Sequence, residues 1–192
     1  MIAIIDYGLG NISNVTRAIQ YLGYDVVLTC DDKELERADA IVFPGVGHFK
    51  DAMTSIHAKR NDHSLSKFHH KPIIGICLGM QLLFQHSAEG DVDGLGFVPG
   101  NIVPIQTDYP VSHLGWNDLQ SMHPLLQSDV YFVHSYQAEM SEHVVAYANY
   151  GTKVPGVIQY QNYIGIQFHP VKSGEYGLAI LNQALKGGFI DD

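Results

Sequence analysis

The stretch from Pro72 to Gln81 constrains the fold of this chain more than any other. Its apolar run Ile73–Ile76 predicts a short buried strand, and the residues Met80–Phe84 suit a helix. Between them, Cys77 stands at the apex of a sharp turn with a glycine two residues to either side. A strained strand-turn-helix needs such small neighbours, because its two arms approach closely and the apex side chain projects outward.

Cys77 admits two interpretations. A sulfur at the N-terminus of a helix faces unpaired N–H groups that favour the thiolate, so the pattern indicates a cysteine nucleophile. The alternative is a core cysteine on an ordinary strand-helix unit, because free cysteines are commonly buried. The only other cysteine is Cys30, and two cysteines in 192 residues do not form a disulfide framework.

The composition excludes several classes of protein. Apolar residues make up 46% of the chain and charged residues 16%, which predicts one globular domain over residues 1–192. The net charge is −9 and no long basic block is present, so we expect no nucleic-acid partner. No apolar run reaches the length of a membrane span and no signal segment is recognisable, so we expect a cytoplasmic protein without a membrane partner.

Neither a dinucleotide site nor a metal site is predicted. The turn at Gly8 and Gly10 lacks the third glycine of a dinucleotide fingerprint, since Ser13 takes its place. The polar region 57–71 contains His57, His63, His69 and His70 without a supporting arrangement of cysteine or carboxylate. A solvated helical face explains these histidines better than a metal site does, and we expect no cofactor.

The order of the segments predicts an α/β fold. Strands are predicted at 2–6, 25–29 and 39–43, with helices between them, which indicates a parallel sheet. In the later half, short strands are predicted at 95–98, 101–106, 129–133, 144–147, 157–160 and 163–168. Some of these form hairpins, because Gln161-Asn162 is a two-residue connection. A helix is expected from Tyr176 to near Gly187.

Two further segments carry candidate chemistry. Pro44–Gly47 follows the third strand, and loops at the carboxyl ends of parallel strands line the ligand crevice. Its glycines would let backbone N–H groups face a ligand, which makes it a candidate oxyanion hole; a plain strand-to-helix turn is the alternative. His169 stands at a strand end before Pro170, which holds it in an extended, exposed position.

Taken together, Gly75–Gly79 and Gln167–Pro170 resemble the class I, triad-type glutamine amidotransferases. The likeness is tightest with the glutaminase subunits that serve imidazole glycerol phosphate formation in histidine biosynthesis. Six ordered motifs carry it: Asp6–Asn11, Pro44–Gly47, Gly75–Gln81, Gly94–Gly96, His113–Asn117 and Tyr131–Tyr136. The resemblance implies a flavodoxin-like three-layer αβα domain with a mainly parallel central sheet and an added antiparallel sheet in the second half.

The resemblance also implies catalytic roles. Cys77 would attack the side-chain amide of glutamine, and His169 would move the proton from the thiol to the leaving ammonia. The resulting γ-glutamyl thioester would be hydrolysed to glutamate. The oxyanion would be held by backbone N–H groups drawn from Gly45, Val46, Gly47 and Leu78.

Substrate and partner follow in the same way. The resemblance implies that glutamine is bound by Gln81, Glu89, His134, Ser135 and Tyr136, with Glu89 suited by charge to the α-ammonium. Ammonia would pass to a (β/α)₈-barrel cyclase subunit in a heterodimer. Asn11, Trp116 and Lys172 would lie at the partner interface, and a single tryptophan in a loop of small residues is equally consistent with a core role.

The chain departs from the family at Val171. The family motif reads His-Pro-Glu-Lys, whereas this sequence reads His-Pro-Val-Lys, so the carboxylate that orients the histidine is missing. Loss of that carboxylate costs about 10⁴-fold in kcat in a serine triad, and a cysteine triad should lose less. We therefore expect reduced glutaminase activity, with Glu175 as a conceivable substitute.

Two rival functions remain open at this point. The chain could be a non-catalytic subunit that only binds and supports the cyclase, since its triad is incomplete. It could also be another amidotransferase of the same fold, such as one that serves pyridoxal phosphate synthesis. The motifs Pro44–Gly47 and His113–Trp116 argue against the latter.

Overall fold

The computed structural model describes residues 1–8, 11–59 and 65–190. The helices are α1 (Ile12–Tyr21), α2 (Asp32–Arg37), α3 (Phe49–Lys59), α4 (Leu78–Leu82) and α5 (Gly174–Leu185). The strands are β1 (Ile2–Ile5), β2 (Val26–Thr29), β3 (Ala40–Phe43), β4 (Ile73–Ile76), β5 (Phe84–Ser87), β6 (Val92–Asp93), β7 (Val98–Pro104), β8 (His113–Asp118), β9 (Asp129–His134), β10 (Tyr136–Ala138), β11 (Val144–Asn149), β12 (Lys153–Tyr160) and β13 (Tyr163–Ile166).

The central sheet has seven strands in the order β11-β12-β13-β4-β3-β1-β2. From β13 to β2 every pairing is parallel, which confirms the predicted parallel sheet. The hairpin of β12 and β13 pairs Tyr160 with Tyr163 across Gln161-Asn162, as predicted, and β11 adds a further antiparallel strand. Much of the antiparallel structure therefore continues the main sheet.

The two faces of this sheet support two separate apolar cores. Ile2 and Ile4 of β1 pack with α1 and α5, whereas Ala3 and Ile5 pack with α2 and α3 on the other face. The alternation follows from the pleat of the strand, in which successive side chains point to opposite faces. Helices thus cover both faces, and the predicted α/β class with three layers is confirmed.

Two smaller sheets complete the second half of the chain, with the strand order β10-β7-β5-β6 in one and β8-β9 in the other.

In these two sheets, some of the predicted strand and helix boundaries are wrong. The elbow helix ends at Leu82, and Phe84 starts β5 because it pairs with Val98 of β7. In place of the two strands predicted at 95–98 and 101–106 there is the single strand β7, Val98–Pro104, and residues 95–97 and 105–106 lie outside it. Trp116 lies on strand β8 rather than in a loop, since Trp116 pairs with Tyr131.

Other elements lie near their predicted positions, although β12 begins at Lys153 rather than at residue 157 and the C-terminal helix begins two residues before Tyr176. The C-terminal helix α5 begins at Gly174 and ends at Leu185, before Gly187 and Gly188, which both have a positive φ. Of the histidine-rich region 57–71, His63 lies outside the described residues. No helix within the described ranges is long and apolar enough to span a bilayer.

Candidate active site

The turn at Cys77 has the geometry of a nucleophile elbow. Cys77 has φ 55° and ψ −115°, a conformation that L-residues rarely adopt, and its N–H donates to the Ile166 carbonyl at 2.7 Å. A Cβ added at Gly79 would lie 2.0 Å from the Phe43 oxygen, and one added at Gly75 would lie 2.5 Å from the Gly79 oxygen. Strand and helix therefore approach too closely for any larger residue, as the sequence predicts.

A cavity of about 300 Å³ opens beside Cys77, within the size range of small-molecule sites. Most of the predicted site residues line this cavity. The full lining is Val46, Gly47, Cys77, Leu78, Gln81, Glu89, Val133, His134, Ser135, Tyr136, His169 and Lys172. Val133 is the one lining residue that the sequence did not suggest. Asn11, Gly45 and Val171 line a smaller neighbouring cavity instead, and Trp116 lines neither.

The predicted oxyanion segment lies against the elbow. A Cβ added at Gly45 would be 2.4 Å from the Gly79 backbone nitrogen, so this loop packs directly on the first turn of α4. Gly47 has φ +102°, a conformation that favours glycine. The Tyr7 hydroxyl donates to the Pro44 carbonyl at 2.5 Å and anchors the start of the loop. The segment is thereby held against the elbow, and Val46 and Gly47 line the same cavity as Cys77.

Burial dominates the titration of Cys77. The side chain is 8% exposed, and desolvation raises the pKa of the thiol to about 11, assisted by the negative charge of Glu89. A hydrogen bond from the Leu78 N–H and the charge of Lys172 oppose this shift. The Leu78 N–H at the N-terminus of α4 thus favours the thiolate, as expected, but in the chain alone desolvation has the larger effect on the pKa.

His169 is fixed by its backbone rather than by a carboxylate. Its N–H donates to the Tyr131 carbonyl at 2.9 Å, and its own carbonyl accepts from Ser173 Oγ at 2.6 Å. Its Nε2 is buried and has no hydrogen-bond partner among the described residues. Desolvation, together with the charge of Lys172, lowers the pKa of the imidazole to about 4.

The position of the missing carboxylate is apolar. Val171 is partly buried and packs against the core that contains α1 and α5. Glu175 is exposed on the first turn of α5 and makes no hydrogen bond or ion pair with His169. The structure thus gives no support to Glu175 as a substitute.

Gln81 and Gln167 connect the pocket to the nucleophile. Gln81 Nε2 donates to the Tyr136 carbonyl and to Gln167 Oε1, both at 3.0 Å. Gln167 is fully buried, and its Nε2 lies 4.0 Å from Cys77 Sγ. Sequence reasoning used Gln167 only as part of a motif. The signal that could have identified it is its place in a strand end that precedes His169.

His134 belongs to a hydrogen-bonded chain with a defined direction. Its Nδ1 lies 2.7 Å from the Tyr136 carbonyl, which only accepts, so Nδ1 carries the proton. His134 Nε2 must then accept from His113 Nδ1 at 3.2 Å, and His113 Nε2 accepts from Asn117 Nδ2 at 3.2 Å. Asn117 also donates to the Asn149 carbonyl at 3.0 Å, which closes the chain.

Both imidazoles of this chain are held neutral. Burial lowers the pKa of His134 to about 3 and that of His113 to about 4. The His113 ring stacks between Phe132 and Tyr150, with centroids 4.4 and 4.2 Å away. His113 and Asn117 lie in a motif of the resemblance, but the sequence did not suggest that they support the pocket.

Glu89 has a structural contact as well as a place in the cavity. Its carboxylate accepts from the Phe49 N–H at 2.9 Å and so caps the first turn of α3. Among the described residues, no group of three His, Cys, Asp or Glu side chains is arranged to hold a metal ion. Glu89 thus both caps α3 and contributes a carboxylate side chain to the lining of the cavity.

An exposed apolar surface borders the site. Leu114 and Trp116 alternate with buried or half-buried neighbours on β8 and are 64% and 60% exposed. The Trp116 ring stands edge-on to Tyr131 with centroids 5.9 Å apart, and Lys172 Nζ lies 5.7 Å from the Tyr131 ring centre. These contacts link the exposed strand to the rim of the cavity.

Comparison with known proteins decides the family. A sequence model described as "Glutamine amidotransferase class-I" matches residues 3–187. The chain belongs to this family. The predicted resemblance and the predicted enzyme class, a glutamine amidotransferase, are confirmed by this match.

Curated relatives of this amidotransferase are similar over their whole length. A protein named "Imidazole glycerol phosphate synthase subunit HisH" from Staphylococcus epidermidis strain RP62A is 79% identical over 192 residues, which cover 100% of both chains. Proteins of the same name from Staphylococcus saprophyticus and from Staphylococcus aureus strain RF122 are 67% and 64% identical, and cover 100% of this chain and 97% and 100% of their own.

Solved structures share the fold of this amidotransferase. One described as "Crystal structure of glutamine amidotransferase" has a TM-score of 0.78 at 17% identity, covering 97% of this chain and 98% of its own. Another, "Structure of PurLQS from Thermotoga maritima", has a TM-score of 0.72 at 18% identity, covering 96% and 97%. At these identities the likeness shows the fold.

Proposed function

We propose that this chain is the glutaminase subunit of an imidazole glycerol phosphate synthase, acting in the cytoplasm. The observation that carries the proposal is that Cys77 at the elbow, His169 and the carboxylate of Glu89 line the same cavity. Supporting it, the curated relatives with up to 79% identity over the full chain bear the name of that synthase subunit.

In the proposed reaction, glutamine enters the cavity with its α-ammonium towards Glu89 and its side-chain amide towards Cys77. The thiol passes its proton to His169, and the sulfur attacks the amide carbon. The tetrahedral oxyanion is held by the Leu78 N–H and by N–H groups of the segment Gly45–Gly47. The C–N bond then breaks, and His169 returns the proton to the leaving ammonia.

A γ-glutamyl thioester remains on Cys77 after ammonia leaves. Water attacks its carbonyl carbon with His169 as the general base, which releases glutamate and restores the thiol. Gln81 and Gln167 fix the floor of the pocket, since Gln81 is bonded to both Gln167 and the Tyr136 carbonyl. Ser135 and Tyr136 complete the predicted substrate contacts from the wall.

The pKa values of Cys77 and His169 lead us to expect that the activity depends on the partner. With the thiol pKa raised to about 11 and the imidazole pKa lowered to about 4, the neutral thiol and imidazole are strongly favoured over the ion pair. We therefore expect little glutamine hydrolysis by the chain alone. A (β/α)₈-barrel cyclase that docks on the rim, near Asn11, Trp116 and Lys172, would change this electrostatic environment and receive the ammonia.

Glutamate release tests this proposal. The chain is assayed with and without the purified cyclase and its nucleotide ligand, with Cys77→Ala as the control. We expect release only with the cyclase and only from the chain that has Cys77. Mass spectrometry of the acid-quenched reaction should find a γ-glutamyl adduct on Cys77. If the cyclase gains ammonia-dependent activity while no adduct and no glutamate form, the chain is the non-catalytic subunit instead.

A further inference from the structure

A second cavity of about 70 Å³ adjoins His169 and is separate from the substrate cavity. Val171 and Lys172 contribute to its wall from the segment that follows His169, and Asn11 contributes an amide. The remainder of the wall is apolar or backbone, including residues 44–46 of the oxyanion segment. The cavity therefore lies where the side chain of the family's glutamate would follow His169 and Pro170.

The charges around this cavity are one-sided. Lys172 makes no ion pair with a described residue, and His169 Nε2 is buried without a hydrogen-bond partner in the described part of the chain. Glu89 lines the substrate cavity, and Glu175 is exposed on α5. When His169 takes the proton from Cys77, its imidazolium lies with Lys172 in the wall of this cavity, and the Cys77 thiolate balances only one of these two positive charges. The neighbouring lysine charge disfavours the proton transfer.

We propose that this second cavity is a binding site for a small monocarboxylate, which supplies in trans the charge that Val171 does not. The carboxylate accepts a hydrogen bond from the imidazole N–H of His169 and is balanced by Lys172, with the amide of Asn11 as a further donor. A volume of about 70 Å³ holds about two water molecules, so formate fits and longer carboxylates do not. The catalytic consequence of this inference rests on the proposed glutaminase function.

Formate titration of the complex tests the proposal. Glutamate release by the chain with its cyclase is measured in sodium formate at constant ionic strength, balanced with sodium chloride. We expect a saturable increase in kcat of about tenfold, with a weaker response to acetate and none to butyrate. An equal response to formate and chloride, or to formate and butyrate, would overturn the proposal.

Two variants locate the effect. Val171→Leu fills the cavity without adding charge, so the formate response should disappear. Val171→Glu places a tethered carboxylate in the same space, so kcat should rise and formate should add nothing. A formate response that persists unchanged in Val171→Leu would place the anion elsewhere and contradict the assignment.

A readout that does not depend on activity separates this inference from the proposed function. The full chain is labelled with ¹³C-histidine, and the His169 ring signal is assigned with His169→Gln. Formate should shift that signal saturably and raise the pKa of His169, and Val171→Leu should abolish the shift. If the signal does not move, the site is refuted even when glutaminase activity is found. If it moves while no glutamate is ever released, the site stands and the glutaminase proposal fails.

Discussion

His113 Nδ1 donates to His134 Nε2 across 3.2 Å in the interior of the protein, and both rings are neutral. This bond requires a single proton between the two nitrogens, because a second would place two N–H donors face to face. The bond in turn fixes the proton on His134 Nδ1 that holds the Tyr136 carbonyl at the pocket. The protonation state of a buried pair thus determines the shape of the candidate substrate site.

The first prediction concerns stability against pH. The pKa values of His113 and His134 in the folded chain, about 4 and about 3, lie below the ordinary value of 6.5. The unfolded chain therefore binds more protons below about pH 6.5, and the free energy of unfolding should fall as the pH drops from there towards 4. Above pH 7 this contribution is fully present.

Urea denaturation at several pH values measures this effect. His134→Gln should reduce the slope of the unfolding free energy between pH 6.5 and 4 by up to ~1.4 kcal/mol per pH unit. His70→Gln is the matched control, because His70 is exposed, and it should leave the slope as it is. An equal change in both variants would mean that the buried pair does not cause the pH dependence.

The second prediction concerns Val171. Val171→Glu should restore a hydrogen-bond acceptor and a negative charge near the His169 ring, because both residues line the smaller cavity. We expect kcat for glutamate release in the cyclase complex to rise by at least about tenfold. Val171→Gln is the matched control of similar shape without the charge, and it should restore little. No increase in the glutamate variant would show that the missing carboxylate does not limit the rate.

Much of the fold follows from the sequence because it depends on local patterns. The β-branched runs and the glycines around Cys77 predicted the parallel strands and the elbow, since close approach of Gly79 to Phe43 leaves no alternative. The end of α4 was not predictable in this way. Leu83 and Phe84 suit a helix, but Leu83 is the C-cap of α4, and the pairing of Phe84 with Val98 in another sheet places Phe84 in a strand.

The sequence predicts which residues belong to the site better than it predicts their burial, their pKa values and their contacts with distant residues. A motif identifies Cys77 and His169, but the net shift of the Cys77 pKa depends on how much desolvation the folded chain imposes, which no local pattern reports. The same holds for His113, whose role depends on the distance to His134 across two strands. Trp116 was placed in a loop because its pairing with Tyr131 is not local.

The third prediction concerns the reactivity of Cys77. With a thiol pKa of about 11, alkylation by iodoacetamide should rise about tenfold per pH unit from pH 7 to 10 without a plateau. A Cys30→Ser background leaves Cys77 as the only thiol. Glu89→Gln removes a charge that raises the pKa and should speed alkylation, whereas Lys172→Met should slow it. A plateau near pH 8 would show that the Leu78 N–H outweighs burial.

The last prediction concerns the exposed face of β8. Leu114 and Trp116 expose large apolar side chains next to Tyr131 and Lys172, at the rim of the cavity. Exposed apolar patches of this kind mark interaction surfaces, and tryptophan is enriched among residues that dominate binding energy. Trp116→Ala should therefore weaken binding of the cyclase by at least about tenfold, which corresponds to about 1.4 kcal/mol.

Calorimetric titration of the cyclase with each variant measures this loss. Met122→Ala is the control, because Met122 is 96% exposed but lies outside β8 and outside the cavity lining. It should bind as the unmodified chain does. Since Trp116 contacts the ring of Tyr131, thermal denaturation of Trp116→Ala should first establish that the β8-β9 pair is intact. If Trp116→Ala then binds the cyclase with unchanged affinity, the exposed apolar face of β8 is not the docking surface. The cyclase would then dock on another face of the protein.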